Sequence, residues 1–175
     1  MCREEELFER VYAAYGASLY RFCLVQLGDP ADAEDALQEV FCKRLYRAPG
    51  FPSPEQERRW LFRVAVNQCR DELRRRRRMA GPLPEDLPAP QVTDLGLWER
   101  VAALPEKQRT VVHLHYAEGY SVQEIAEVLG VTASAVKMRL ARARAALREA
   151  WGGEEWTATP TRWKRCRARL TREGG

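Results

Sequence analysis

Ser134, Lys137, Met138, Arg139 and Arg142 recur at helical spacing within the stretch from Ser121 to Arg144. Their side chains suit contact with nucleic acid, because ammonium and guanidinium groups can meet phosphates or base edges while a small Ser leaves the helix tip free to approach. The residues before them form a device that presents such a helix. Ser121 and Glu124 have the spacing of a capping box, in which hydroxyl and carboxylate each satisfy a backbone donor at a helix start. Ile125, Ala126 and Leu129 form an inward stripe, Gly130 supplies the permissive backbone of a sharp turn, and Thr132 is placed to cap the following helix through the backbone of Ser134 or Ala135. Val136, Leu140, Ala143 and Leu147 then fall on one side of that second helix, opposite the basic residues. A generic helical hairpin has no need for a cap, a Gly turn and a fresh cap so close together. The pattern is therefore read as a helix-turn-helix whose second helix enters a major groove.

A second group lies upstream. Trp60, Val64, Asn67, Asp71 and Arg74 share one helix face, and Arg74 to Arg78 form a continuous arginine run. An exposed Trp60 beside Val64 and Asn67 suits base stacking, leading into a phosphate track. The plainer reading has Trp60 and Val64 pack on neighbouring helices while the arginines solvate a helix end. Periodicity leaves both open.

Catalytic chemistry has no visible home. Cys2, Cys23, Cys42, Cys69 and Cys166 are widely spaced, with no C-x-x-C pair and an odd total, so they make neither a disulfide framework nor a zinc knuckle. Cys23, Cys42 and Cys69 are read as small apolar fillers on helices. His113 and His115 diverge around a helix, which argues against a shared metal site. Neither a nucleophile-base constellation nor a phosphate-cradling Gly loop is found. No cofactor, metal or small-molecule substrate is expected.

The elements that must position these groups are helical throughout. Leu7, Phe8, Val11, Tyr12, Tyr15, Leu19, Phe22, Cys23 and Leu27 recur at helical spacing up to a break at Gly28-Asp29-Pro30. Asp32 opens a helix to about Arg47, with Ala36, Leu37, Val40, Phe41 and Leu45 on its apolar stripe. Ala48 to Pro54 is a Pro-rich loop, and the next helix runs from about Glu55 into the arginines, burying Phe62, Val66, Cys69 and Leu73. Met79 to Asp94, rich in Pro and poor in aromatics, reads as an extended linker. A second helical unit begins near Leu95. Pro105 restarts its helix at a first-turn position, Val111, Val112 and Leu114 carry its core face, and Glu118-Gly119 ends it.

With 175 residues and 45% hydrophobic content, the chain can bury one moderate core or two small ones, and the Pro-rich interruption favours two. Formal net charge is only +4, but acid gathers in the first half and base at Arg74 to Arg78, Lys137 to Arg148 and Arg162 to Arg172. Such segregation suits two kinds of partner, one of them polyanionic. No apolar run is long enough to span a bilayer, and the amino terminus lacks a signal-peptide layout, so a cytoplasmic protein without membrane insertion is expected.

Three motifs in this order resemble the sigma-70 family of RNA polymerase sigma factors, in particular its extracytoplasmic-function group. They are Asp32-Ala-Glu-Asp-Ala-Leu-Gln-Glu-Val-Phe41, the stretch from Trp60 to Arg75, and Leu104-Pro-Glu-Lys-Gln-Arg-Thr-Val-Val continuing through the helix-turn-helix to Arg144. The resemblance covers about residues 5 to 150. It implies an all-α chain of two small helical domains, region 2 at 1–78 and region 4 at 95–151, joined by a linker at 79–94 and followed by a basic tail at 152–175.

It also implies roles. The family docks the helix matching Asp32 to Arg47 on core RNA polymerase, making Asp35, Gln38 and Glu39 core-binding candidates, where residue chemistry alone favours ordinary solvation. Phe51, Val64 and Asn67 stand where relatives build the pocket for an extruded base of the minus-ten element, with Trp60 beside them and Arg74, Arg75 and Arg76 on backbone phosphates. The helix-turn-helix would read the minus-thirty-five element. Pro52, Pro54 and Met138 depart from the common pattern, so base preferences do not carry over. An anti-sigma factor is the implied regulatory partner. The tail, with Trp156, Trp163 and many arginines, lies outside the shared domains; it reads as a loosely docked end or as a regulatory addition. The rival reading is a stand-alone helix-turn-helix regulator with an amino-terminal sensing or dimerisation domain, which would bind a palindrome as a symmetric dimer.

Overall fold

The computed structural model describes residues 3–80 and 96–150. These are helical, with no strand among the described residues. The chain divides into two units, residues 1–94 and 95–175.

In the first unit, α1 (Arg3–Leu27), α2 (Pro30–Tyr46) and α3 (Pro54–Met79) pack on one another. Glu4, Glu5 and Glu6 occupy the first turn of α1, where the helix dipole favours negative charge. Gly28, at φ +71°, ends α1, and its N–H donates to the Leu24 carbonyl. Asp29 caps α2 by accepting from the N–H of Asp32, and Pro30 takes a first-turn position where its missing donor costs nothing. The helix therefore starts two residues before the expected Asp32. Ser53 caps α3 in the same manner, followed by Pro54.

The core lies between the three helices. Val11, Leu19, Phe22, Cys23 and Leu27 of α1 meet Ala33, Ala36, Leu37, Val40 and Phe41 of α2, and Leu61, Phe62, Ala65, Val66 and Cys69 of α3. Phe22 and Phe62 pack edge to face with ring centroids 5.8 Å apart. The α3 stripe is broader than Phe62, Val66, Cys69 and Leu73, because Leu61 and Ala65 are buried and Leu73 is only half-buried. Cys42 is a correction of a different kind. It is exposed, since it stands one residue past the inward stripe, whereas Cys23 and Cys69 are the buried fillers expected.

The second unit contains α4 (Leu97–Ala102), α5 (Glu106–Val112), a π-turn (His113–Ala117), α6 (Val122–Leu129) and α7 (Ala133–Ala150). Pro105 is the N-cap of α5 rather than its first helical residue, with an extended backbone at ψ 143°. The π-turn was not foreseen. Wider turns join Glu118 N–H to the His113 carbonyl at 3.2 Å and Tyr120 N–H to the Leu114 carbonyl at 3.0 Å. This widening stacks His113 over Glu118, five residues on, as a buried pair 3.4 Å apart. His115 turns away, and its Nδ1 lies 2.8 Å from the Tyr120 carbonyl; a carbonyl only accepts, so Nδ1 carries the proton.

Candidate nucleic-acid interface

Local backbone chemistry builds the helix-turn-helix. Both bonds of the capping box form: Glu124 N–H donates to Ser121 Oγ at 3.2 Å, and Ser121 N–H donates to Glu124 Oε2 at 2.8 Å. Gly130 adopts φ +64°, ψ 38°, ending α6 in the left-handed conformation. Ala135 N–H then donates to Thr132 Oγ1 at 3.1 Å, capping α7 two residues into the new helix. Ile125, Ala126 and Val128 seat α6 while Leu129 is half-buried; Val136, Leu140, Ala143 and Leu147 seat α7.

That seating leaves one side of α7 outward. Ser134, Lys137, Met138 and Arg142 are exposed. Arg139 differs, being half-buried with one guanidinium nitrogen wholly covered. Arg144 turns back into the unit, where its Nε donates to the Tyr116 hydroxyl at 2.7 Å. α7 is thus anchored to the π-turn by a half-buried arginine.

On α3, Trp60, Val64, Asn67, Asp71 and Arg74 follow one another at steps of three and four along a single face, as the sequence requires. Asn67, Asp71 and Arg74 are exposed, while Trp60 and Val64 are half-buried, so Trp60 is less exposed than the sequence reading held. Its ring packs on Phe51, at 5.6 Å between centroids. The packing reading and the site reading of Trp60 meet at this contact, because its neighbour is itself a proposed pocket residue.

The arginine run separates into distinct environments. Arg74 sits 3.6 Å from Asp71, both well exposed, a pairing worth little in water. Arg75 grips Glu72 with two hydrogen bonds, at 2.7 and 2.8 Å. That hydrogen bonding holds the Glu72 carboxyl below the ordinary carboxylate range and raises Arg75 in turn. Arg76 points inward to Asp32 and to the Leu27 carbonyl. Arg77 and Arg78 are exposed.

Asp35, Gln38 and Glu39 share an exposed face of α2, and Glu39 lies 3.7 Å from Lys43. Two important residues escaped the sequence reading. Glu57 of α3 is 3% exposed and receives Arg44 of α2 and Arg10 of α1, Arg44 Nε donating at 2.7 Å. Their spacing carried the signal: Glu57 stands one turn before Leu61, and Arg44 one turn after Val40, each on its helix's inward stripe. Among the described residues no group of three or more His, Cys, Asp or Glu side chains could hold a metal ion. Nor is any described helix long and apolar enough to cross a membrane.

Residues 11–79 match the family Sigma-70 region 2, and residues 95–147 match Sigma-70, region 4. The chain is 28% identical over 167 residues to the ECF RNA polymerase sigma factor SigW of Bacillus subtilis, covering 83% of this chain and 89% of that protein. It is 32% identical over 146 residues to the ECF RNA polymerase sigma factor SigM of Mycobacterium tuberculosis, covering 80% and 74%. Among solved structures, it resembles CnrH in complex with the cytosolic domain of CnrY, with TM-score 0.64, 27% identity and coverage of 86% and 91%. The sigma factor RpoE from Bartonella quintana, in complex with the anti-sigma factor NepR, shares the fold at TM-score 0.65, 23% identity and coverage of 85% and 98%. The chain belongs to the sigma-70 family of RNA polymerase sigma factors, in its ECF group. Its amino-terminal unit matches a sigma region, which sets aside the reading of a sensing or dimerisation domain.

Proposed function

We propose that this ECF sigma factor joins core RNA polymerase through Asp35, Gln38 and Glu39, and directs it to promoters by two unlike DNA contacts. Ser134, Lys137, Met138, Arg139 and Arg142 read the minus-thirty-five duplex. Phe51, Trp60, Val64 and Asn67 receive an unstacked minus-ten base, with Arg74, Arg75 and the outward Arg77 and Arg78 meeting phosphates. Arg76 is tied into the fold and contributes less to DNA than its sequence neighbours. The domain roles follow: residues 1–78 for core and minus-ten contacts, residues 95–151 for the minus-thirty-five element. The protein performs no bond chemistry itself and works in the cytoplasm.

The observation that carries this reading is one chain whose exposed faces are acidic on α2 and basic on α7. Opposite charge on the two faces suits two unlike partners. An anti-sigma factor completes the proposal; the similar CnrH was solved with a protein partner, the cytosolic domain of CnrY. The test is co-migration of the full chain with core polymerase on a sizing column. The parent should co-elute, and an Asp35→Lys, Glu39→Lys variant with unchanged helical signal should not. Equal co-elution would remove α2 from the core contact.

A further inference from the structure

The loop between α2 and α3 is held at both ends. Arg47 N–H donates to the Lys43 carbonyl at 2.9 Å, closing α2, and Ser53 caps α3. The Tyr15 hydroxyl of α1 donates to the Pro54 carbonyl at 3.2 Å. Between these anchors Phe51 is gripped from two sides. The Arg44 guanidinium lies over its ring, 4.9 Å from the centroid, and the Trp60 indole packs against it at 5.6 Å.

Arg44 is itself immobilised. Its side chain is 12% exposed, and Glu57, 4% exposed at the side chain, holds it through Nε and a further contact at Nη2. Arg10 closes on the second carboxylate oxygen at 3.3 Å. Burying a charged pair costs desolvation that a hydrophobic pair would avoid, so stability alone is a poor account of it. What the pair does achieve is geometric. A planar guanidinium held by a carboxylate is attracted to the face of an aromatic ring, and this one lies 4.9 Å from the Phe51 centroid.

We propose that Arg44, fixed by Glu57, is the positioning residue of the strand-capture site, setting the Phe51 ring as a preformed wall for the unstacked base. This rests on the proposed function of Phe51, and it adds two residues from outside the pocket to the determinants of base preference. Neither Arg44 nor Glu57 touches DNA in this account. Their effect passes through one ring, so it should be confined to one base position.

The test uses the full chain bound to core polymerase and a pool of short single-stranded DNAs of random sequence, captured and sequenced. Arg44→Lys retains the charge facing Glu57 but lacks the planar group over Phe51. It should lower base preference at one position roughly tenfold, with preference at the remaining positions unchanged even where the melting temperature falls. Phe51→Ala should give the same loss at the same position, and the Arg44→Lys, Phe51→Ala double variant should lose no more than Phe51→Ala alone. Glu57→Gln should reproduce the Arg44→Lys pattern. Parental preference in Arg44→Lys would overturn the proposal, as would a uniform fall at every position accompanied by lower stability. If Phe51→Ala itself changes no preference, the pocket reading fails and takes this inference with it. A Phe51 effect without an Arg44 effect sinks the inference alone.

Discussion

Arg76 donates to the Asp32 carboxylate and, at 2.7 Å, to the backbone carbonyl of Leu27, so an arginine near the end of α3 fastens the turn that separates α1 from α2. Its side chain is one-third exposed, as is that of Asp32. Within a run of five arginines this one holds the fold, while Arg77 and Arg78 remain outward.

Arg76→Ala should therefore cost about 1–2 kcal/mol of stability, seen as a lower denaturation midpoint, with little change in the salt dependence of DNA binding. Arg77→Ala or Arg78→Ala should do the reverse, leaving the midpoint in place and reducing the salt slope by about one unit. Identical behaviour of all three in both assays would remove the distinction.

Ser121→Ala and Thr132→Ala should each destabilise the second unit by about 1 kcal/mol, because each removes a side-chain acceptor from a helix start. Gly130→Ala should cost a similar amount, about 1 kcal/mol, through backbone strain alone, since nothing lies within 4 Å of the added Cβ. Thermal melts of the three variants check this; an unchanged Gly130→Ala midpoint would contradict the strain argument.

Asn67→Ala should impair promoter opening far more than duplex binding, because its proposed partner is an unstacked base. A lost base-edge contact should reduce discrimination by about 1–3 kcal/mol. Permanganate footprinting reads the opening directly, and normal melting with unchanged minus-ten preference would take Asn67 out of the pocket.

Glu72 gives a pH dependence of defined sign. Its carboxyl titrates below the ordinary value of 4.5, chiefly through the hydrogen bond from Arg75. The associated stability is present in full above the unfolded-state value and is lost as pH falls through the lower folded-state value. Glu72→Gln should thus flatten the acid side of the stability profile below pH 4.5. An unchanged acid limb would show that the contact contributes nothing.

The parts legible in the sequence were those with local causes. Ser121 and Glu124, Gly130, and Thr132 announce themselves because cap, turn and cap act over a few residues, and the α7 stripe follows from a single periodicity. Glu57 stood on the inward register one turn before Leu61, but its partners, Arg44 and Arg10, come from other helices, so what an acid there would meet was not legible until those helices were packed. The π-turn has no propensity signature; its widening accompanies the joint burial of His113 and Glu118, which only packing reveals. Arg76 was indistinguishable from its neighbours for the same reason as Glu57: one step along a helix, about 100°, decides whether a guanidinium meets solvent or Asp32.

In vitro transcription with core RNA polymerase on a library of genomic fragments, with start sites mapped, tests the central claim most directly. The predicted result is a discrete set of starts that appears only when the protein is added and shares two unlike upstream elements. Absence of added starts, or occupancy of a palindrome by a symmetric dimer, would contradict it.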